Sequence, residues 1–432
     1  MRHVIVVTAT GAIGLMAIFI VDFLSLFYVS LLGNDKLTAG VGYATTVMFV
    51  AISVNIGAMI AGSAMVARQI GARDREGARR IAATSLVLAA GIAGIVSTLL
   101  LSFLPWLLPA LGAEGPPLEV ATRFLWITLP ANILMALGMC LSGFLRAVGD
   151  PRRAMNVTLF GGLVTALADP VLMFVLKLGT DGAAWATVIS RIVFTGVGLY
   201  GIIRVHDLLR RPRFGEVLAD AGRFLNIAAP AILTNIATPI ASLFVFRILA
   251  PFGPQAIAAT TIIDRLTPVA FGVLFALSGA VGPILAQNLG AGRHDRIRQA
   301  MRDALVLSLG YCLVAWLALV VFRHPIASLF GVTGLTAQYV AFFCLVGGLL
   351  WTFLGFLFVA NAAFNNLGFP FYSTLFNWGR ATLGTVPFAW VGAILGGVEG
   401  VMLGVAVGSA LFGLSAVWTA FRVVRRLEGA AR

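Results

Sequence analysis

Apolar runs of twenty or more residues recur along the whole chain, separated by short polar or basic connections. Each run is long enough to cross the ~30 Å of hydrocarbon that about 20 helical residues span. Inside lipid every backbone polar group needs an internal partner, so repeated runs of this length fold as helices. Twelve segments fit, from 4–31 and 39–66 through 372–394 and 400–421. The expected fold is therefore all-α and polytopic, with about twelve transmembrane helices. Hydrophobic residues make up 60% of the 432 and charged ones 11%, too little charge to coat a soluble domain. The first run continues from Val4 past Val29 without a small-residue cleavage site, so it is expected to remain as a helix.

The net charge of +13 could indicate nucleic acid, but its placement does not. With the N-terminus inside, 22 of the 30 Lys and Arg fall at that terminus, in the connections 68–80, 146–153, 204–223 and 293–302, and in the tail 422–432. Only Lys36, Lys177 and Arg323 fall in outward connections. This split follows the positive-inside rule and places both termini in the cytoplasm. Nucleic acid is not expected as a partner.

The chain also repeats itself. Residues 67–72 read ARQIGA and residues 286–291 read AQNLGA, an offset of 219. Gly149-Asp150-Pro151 meets Gly368-Phe369-Pro370 at the same offset, and Asp181-Gly182 meets Glu399-Gly400 at 218. Each copy holds six spans, an even number, so both enter the membrane from one side and the repeats are parallel. The expected division is an N-terminal lobe of 1–203, a basic linker of 204–223 and a C-terminal lobe of 224–432. Two-lobed bundles of this kind are typical of carriers.

Ionisable residues within the spans are costly and therefore functional candidates. They are Asp22, Asp169, Arg191, Arg247, Asp264, Arg265 and Arg380, with Arg123 near a span end. Asp22, Asp169 and Arg191 lie at similar depth in the outer half of the first lobe, and Thr187 is one turn from Arg191. Two carboxylates with a hydroxyl and a guanidinium suit a proton or cation site. The structural alternative is an ion pair of Arg191 with one of the acids. In the second lobe, Asp264 and Arg247 make either an interhelical ion pair or a substrate contact, and Arg380 is expected to reach inward to lipid headgroups. Gly400, Gly404 and Gly408 form a small face suited to close helix packing. Cys140, Cys312 and Cys344 are too scattered for a metal or disulfide framework, and GARDREGARR at 71–80 lacks the Lys-Ser/Thr of a phosphate loop. No metal, cofactor, nucleotide site or covalent catalysis is expected; the chain does not read as an enzyme.

These residues resemble the multidrug and toxic compound extrusion (MATE) family, and in particular its DNA-damage-inducible branch. The similarity lies in Ser63–Asp74 and Gly282–Asp295 (the repeated helix end and its Gly-Ala turn), in FLRAVGDPRRAMNV at 144–157, in LADPVLMF at 167–174, in GAAWATVIS at 182–190 and in VDFLSLFYVSLLG at 21–33. The resemblance implies a two-lobed antiporter that exports organic, often cationic compounds in exchange for protons or sodium. It implies an ion-coupling site at Asp22, Asp169 and Thr187, with Thr165 standing where the family has Asn. The family's usual first-helix Pro is absent here. The implied setting is a bacterial inner membrane, with lipid and a small organic substrate as partners and no obligatory protein partner. A related flippase for lipid-linked or anionic lipid substrates is the competing expectation, because intramembrane Arg outnumber Asp. A non-transporting scaffold or channel would leave the buried acids without a role.

Overall fold

A computed structural model describes residues 2–32, 35–330 and 332–430, and the side chains of Arg2, His3, Asp22, Phe23, Leu26, Ser30, Asp35, Leu349 and Ala430 also lie outside the described set. Thirteen α-helices follow in order: α1 Arg2–Ser30, α2 Asp35–Gly71, α3 Arg75–Ala110, α4 Gly115–Thr128, α5 Asn132–Ala147, α6 Pro151–Pro170, α7 Gly179–Tyr200, α8 Phe214–Leu249, α9 Pro254–Gly290, α10 His294–Leu329, α11 Gly334–Leu367, α12 Pro370–Gly379 and α13 Val386–Ala430. There are no strands among the described residues. Ten helical stretches are long and apolar enough to cross a membrane, and the pair α4 and α5, bent by 54° at Leu129-Pro130-Ala131, forms an eleventh. The final stretch, Pro370–Gly429, is broken by non-helical backbone at Gly396 and Gly397 and so contains two crossings. Twelve crossings result, as expected from the sequence. Bulky apolar side chains such as Trp106, Val175 and Leu395 are more than two-thirds exposed, which suits lipid rather than water.

The matched points of the two repeats each perform a mechanical task. Gly149 and Gly368 take left-handed backbone (φ 87° and 98°), where glycine has no steric penalty, and Pro151 and Pro370 then open α6 and α12. The turns after α2 and α9 close through the same bonds. Ala72 N–H donates to Arg68 (2.9 Å) and Asp74 N–H to Gln69 (3.0 Å), while Ala291 donates to Gln287 (2.9 Å) and Arg293 to Asn288 (2.8 Å). Gly400, Gly404 and Gly408 lie against the backbone of Gly392, Phe388 and Gly384, so the two halves of α13 pack as a tight hairpin.

Packing divides the chain into Ile13–Ile232 and a second unit made of Met1–Ala12 with Leu233–Arg432. This differs from the lobes expected from the sequence at two places, each with a visible cause. The segment 204–232 stays with the first unit because it is tied to α3. Asp220, buried on α8, accepts from Thr84 (3.0 Å) and faces Arg80 (3.6 Å), while Arg210 reaches Glu76 (2.7 Å) and Arg79 pairs with Asp207. At the other end Val4 joins the core of Leu277, Val281, Met301 and Phe364 in the second unit. The core of the first unit is built on Val29, Met48, Leu104, Leu125 and Met173.

Candidate functional site

Within the first unit α1 lies along α6. A side chain at Gly162 would press on Val21 at 3.2 Å, and one turn further along α1 the Ser25 hydroxyl donates to Asp169 Oδ2. Asp169 is fully buried, and its Oδ1 has no hydrogen-bond partner among the described residues. An unpartnered buried carboxylate oxygen is expensive, and a proton or cation would relieve that cost. Pro170 follows, and the helix then widens into a π segment at Val171–Val175. Such segments are frequent at functional sites.

The other sequence candidates distribute unevenly around this acid. Thr165 is one turn before Asp169 on α6, half-buried, and donates to its own helix at Gly161 O (3.2 Å). Thr187 on α7 does the same to Ala183 O (3.0 Å). α7 is held to α6 by Ser190, whose hydroxyl donates to Gly161 O at 2.8 Å. Asp22 lies on α1 one turn before Ser25, and its side chain is outside the described residues. Ser25 was not among the sequence candidates. Its spacing of three from Asp22 on one helix face was the signal that could have found it.

Arg191 makes its contacts at the bend between α4 and α5. It is 5% exposed, and its Nη1 donates to the carbonyl of Thr128 at 2.6 Å, with Nη2 3.8 Å from Met48 Sδ. It makes no ion pair with a carboxylate among the described residues. The bend between α4 and α5 explains the contact. Asn132 N–H turns to Leu129 O (3.0 Å), which frees the carbonyl of Thr128 for the guanidinium. Beside the bend a buried chain runs from Asn55 to Asn132 (2.8 Å) and from Asn132 to Ser97 (3.2 Å).

In the second unit Asp264 and Arg247 are both exposed and do not pair with each other among the described residues. Arg247 lines a cavity of about 590 Å³ with Phe244, Phe252 and Trp390. Arg380 departs from the expectation that it would reach out to headgroups: it is 6% exposed, and its Nη2 donates to Thr238 Oγ1 at 3.3 Å. Among the described residues no three His, Cys, Asp or Glu gather as metal ligands would.

On the connection between α5 and α6, Asp150 caps α6 by accepting from Arg153 N–H (3.1 Å), pairs with the Arg153 side chain and lies 3.0 Å from His206 Nε2. Partial burial pushes its carboxyl up, but the Arg153 and His206 hydrogen bonds and the Arg153 charge outweigh this and hold it below the usual carboxylate range.

Comparison with known proteins bears on this arrangement. The sequence profile of the MatE family matches residues 12–171 and again 230–391, one match in each repeat. The "FAD transporter" of Shewanella oneidensis is 28% identical over 95% of this chain and 92% of its own length. The "Multidrug export protein MepA" of Staphylococcus aureus is 24% identical over 94% of this chain and 86% of its own length. Among solved structures the Vibrio cholerae MATE transporter VcmN in its bent form superposes with a TM-score of 0.93, covering 99% of this chain and 97% of that one at 23% identity. The duplicated match, the twelve crossings and the shared fold identify the chain as a member of the MatE family of membrane transporters, and not an enzyme.

Proposed function

We propose that this chain is a secondary antiporter that exports small organic compounds in exchange for protons or sodium ions, with Asp169 as the coupling carboxylate. The observation that carries this reading is the buried state of Asp169, with one oxygen on Ser25 and the other free of partners among the described residues. A proton or cation arriving there removes an unbalanced charge. A gradient drives export when the loaded and empty states of such a site differ in affinity for the compound. Asp22, one turn from Ser25, is proposed as the second acid, with Thr165 and Thr187 as nearby hydroxyls. No bound cofactor enters this scheme; the gradient supplies the energy. The proposed setting is a bacterial inner membrane, in keeping with the bacterial relatives, and the 22 to 3 division of basic residues supports cytoplasmic termini.

Relatives named for multidrug export and for FAD transport support a small organic substrate. The cationic class expected from the sequence draws on the two acids of the first unit. A flippase for anionic lipids draws on Arg380 in the second. The test is export from proteoliposomes under an imposed proton or sodium gradient. Wild type should concentrate substrate, Asp169→Asn should not, and Ser25→Ala should fall between them. Unchanged gradient-driven export in Asp169→Asn would overturn the assignment.

A further inference from the structure

In each unit a hydroxyl from the first helix of the repeat meets a charged side chain on the fifth crossing, although not at matched positions, since the offset of 219 sets Arg380 against Gly161. In the first unit a hydroxyl from the first helix of the repeat, Ser25 on α1, meets Asp169, which lies just before the π segment Val171–Val175 of the fifth crossing. In the second unit Thr238, on the first helix α8, meets Arg380, which opens the π segment Arg380–Gly384 of the corresponding crossing. One turn earlier on α8, Thr234 Oγ1 lies 3.1 Å from Ser373 Oγ, which sets the register.

Arg380 is more than nine-tenths buried, and its guanidinium donates to Thr238 among the described residues. Its Nε is buried without a partner, and no carboxylate among the described residues pairs with it. The hydrogen bonds around this stretch of the crossing join neutral groups. Asn377 donates to Asn361 Oδ1 (2.9 Å) and to Ser373 O (2.7 Å), and Thr385 donates to the carbonyl of Arg380 (2.8 Å). A buried guanidinium with unused donors and no counter-charge is costly, and it can be balanced by an anion. Its planar fork of N–H groups fits the paired oxygens of a phosphate or carboxylate.

We infer that Arg380 is a docking residue for an anionic group, phosphate or carboxylate, of the transported compound, with Thr238 holding the guanidinium in place. The inference rests on the transport reading above and names a chemical class within it. A phospholipid headgroup shares this chemistry, so the experiment separates a soluble source from a lipid one.

Riboflavin and riboflavin 5′-phosphate differ only in the phosphate and are both fluorescent. Their equilibrium binding to the purified full-length protein, in neutral detergent and without a gradient, should differ at least tenfold in favour of the phosphate form. Arg380→Gln should abolish that preference, and Arg380→Lys should restore it in part, since ammonium supplies charge without the fork. In nanodiscs, phosphatidylglycerol that erases the preference in wild type assigns the anion site to a headgroup; persistence of the preference there assigns it to the soluble compound. An undiminished preference in Arg380→Gln overturns the inference. So does equal binding of both flavins together with no effect of phosphatidylglycerol on the thermal stability of wild type relative to Arg380→Gln. Should Arg380→Gln fail to fold, inorganic phosphate must raise the unfolding temperature of wild type more than that of Arg380→Lys, and equal shifts contradict the inference. A protein that exports under a gradient yet shows no anion preference would sink this inference and leave the coupling assignment standing.

Discussion

The guanidinium of Arg191 reaches across from α7 to the carbonyl of Thr128, 2.6 Å away, where the fourth crossing bends at Pro130. Arg191 thus supplies the donor that the bend removes from the helix ladder. Among the described residues its guanidinium bonds the backbone and pairs with no acid. Arg191→Met keeps most of the volume and leaves that carbonyl unpaired, at a cost of about 1–3 kcal/mol. Thermal unfolding in detergent should report a clear loss of stability, while the ion dependence of transport by the surviving protein stays as in wild type. A changed ion dependence with normal stability would return Arg191 to the coupling site.

Asp150 offers a pH test outside the membrane segments. Its folded carboxyl lies below the usual range, so it stabilises the protein above the unfolded value of about 3.9, and that stabilisation is lost as pH falls through the folded value. Asp150→Ala also removes the cap of α6, worth about 1 kcal/mol. Asp150→Asn can keep the cap while losing the charge. At pH 7 the order of unfolding temperatures should be wild type, then Asn, then Ala. The gap between wild type and Asn should close as the medium is acidified below the carboxylate range; a gap that stays constant with pH would show that the charge contributes nothing.

The proposed orientation can be read with thiol reagents, because Cys140, Cys312 and Cys344 are all buried and give a silent background. Cysteines placed at the exposed positions Glu114 and Leu178 should react with an impermeant reagent in intact cells. One at the exposed Arg75 should react only after permeabilisation. Labelling of position 75 in intact cells would invert the topology.

Some of this was legible in the sequence because one-dimensional signals have direct physical causes. Span length follows from membrane thickness, and the repeat survived where a left-handed glycine and a helix-opening proline were needed, as at Gly149-Asp150-Pro151 and Gly368-Phe369-Pro370. Depth along a helix also placed Asp169 among the candidates. Depth alone, however, does not give direction around the helix axis. Arg191 shares the level of the acids but points to the break at Pro130, and Ser25, with no charge to announce it, is the side chain that touches Asp169. Sequence alone sends Arg380 to headgroups, because its neighbours from α8 are distant in sequence. Thr238 becomes visible as its partner only once the helices are packed. The division near Ile232 was hidden for a similar reason, since Asp220 is a polar residue in a basic segment until Thr84 and Arg80 are seen beside it.

The coupling role of Asp169 separates from folding and from substrate binding in a single comparison. Proteoliposomes loaded with substrate can be assayed for gradient-free counterflow and, in the same preparation, for uphill export under an imposed proton or sodium gradient. Asp169→Asn keeps the shape of the side chain and its bond with Ser25 but removes the charge that an ion neutralises. The account predicts that counterflow persists while gradient-driven accumulation falls at least tenfold, towards the level of empty liposomes. Uphill export at the wild-type rate in Asp169→Asn would contradict it.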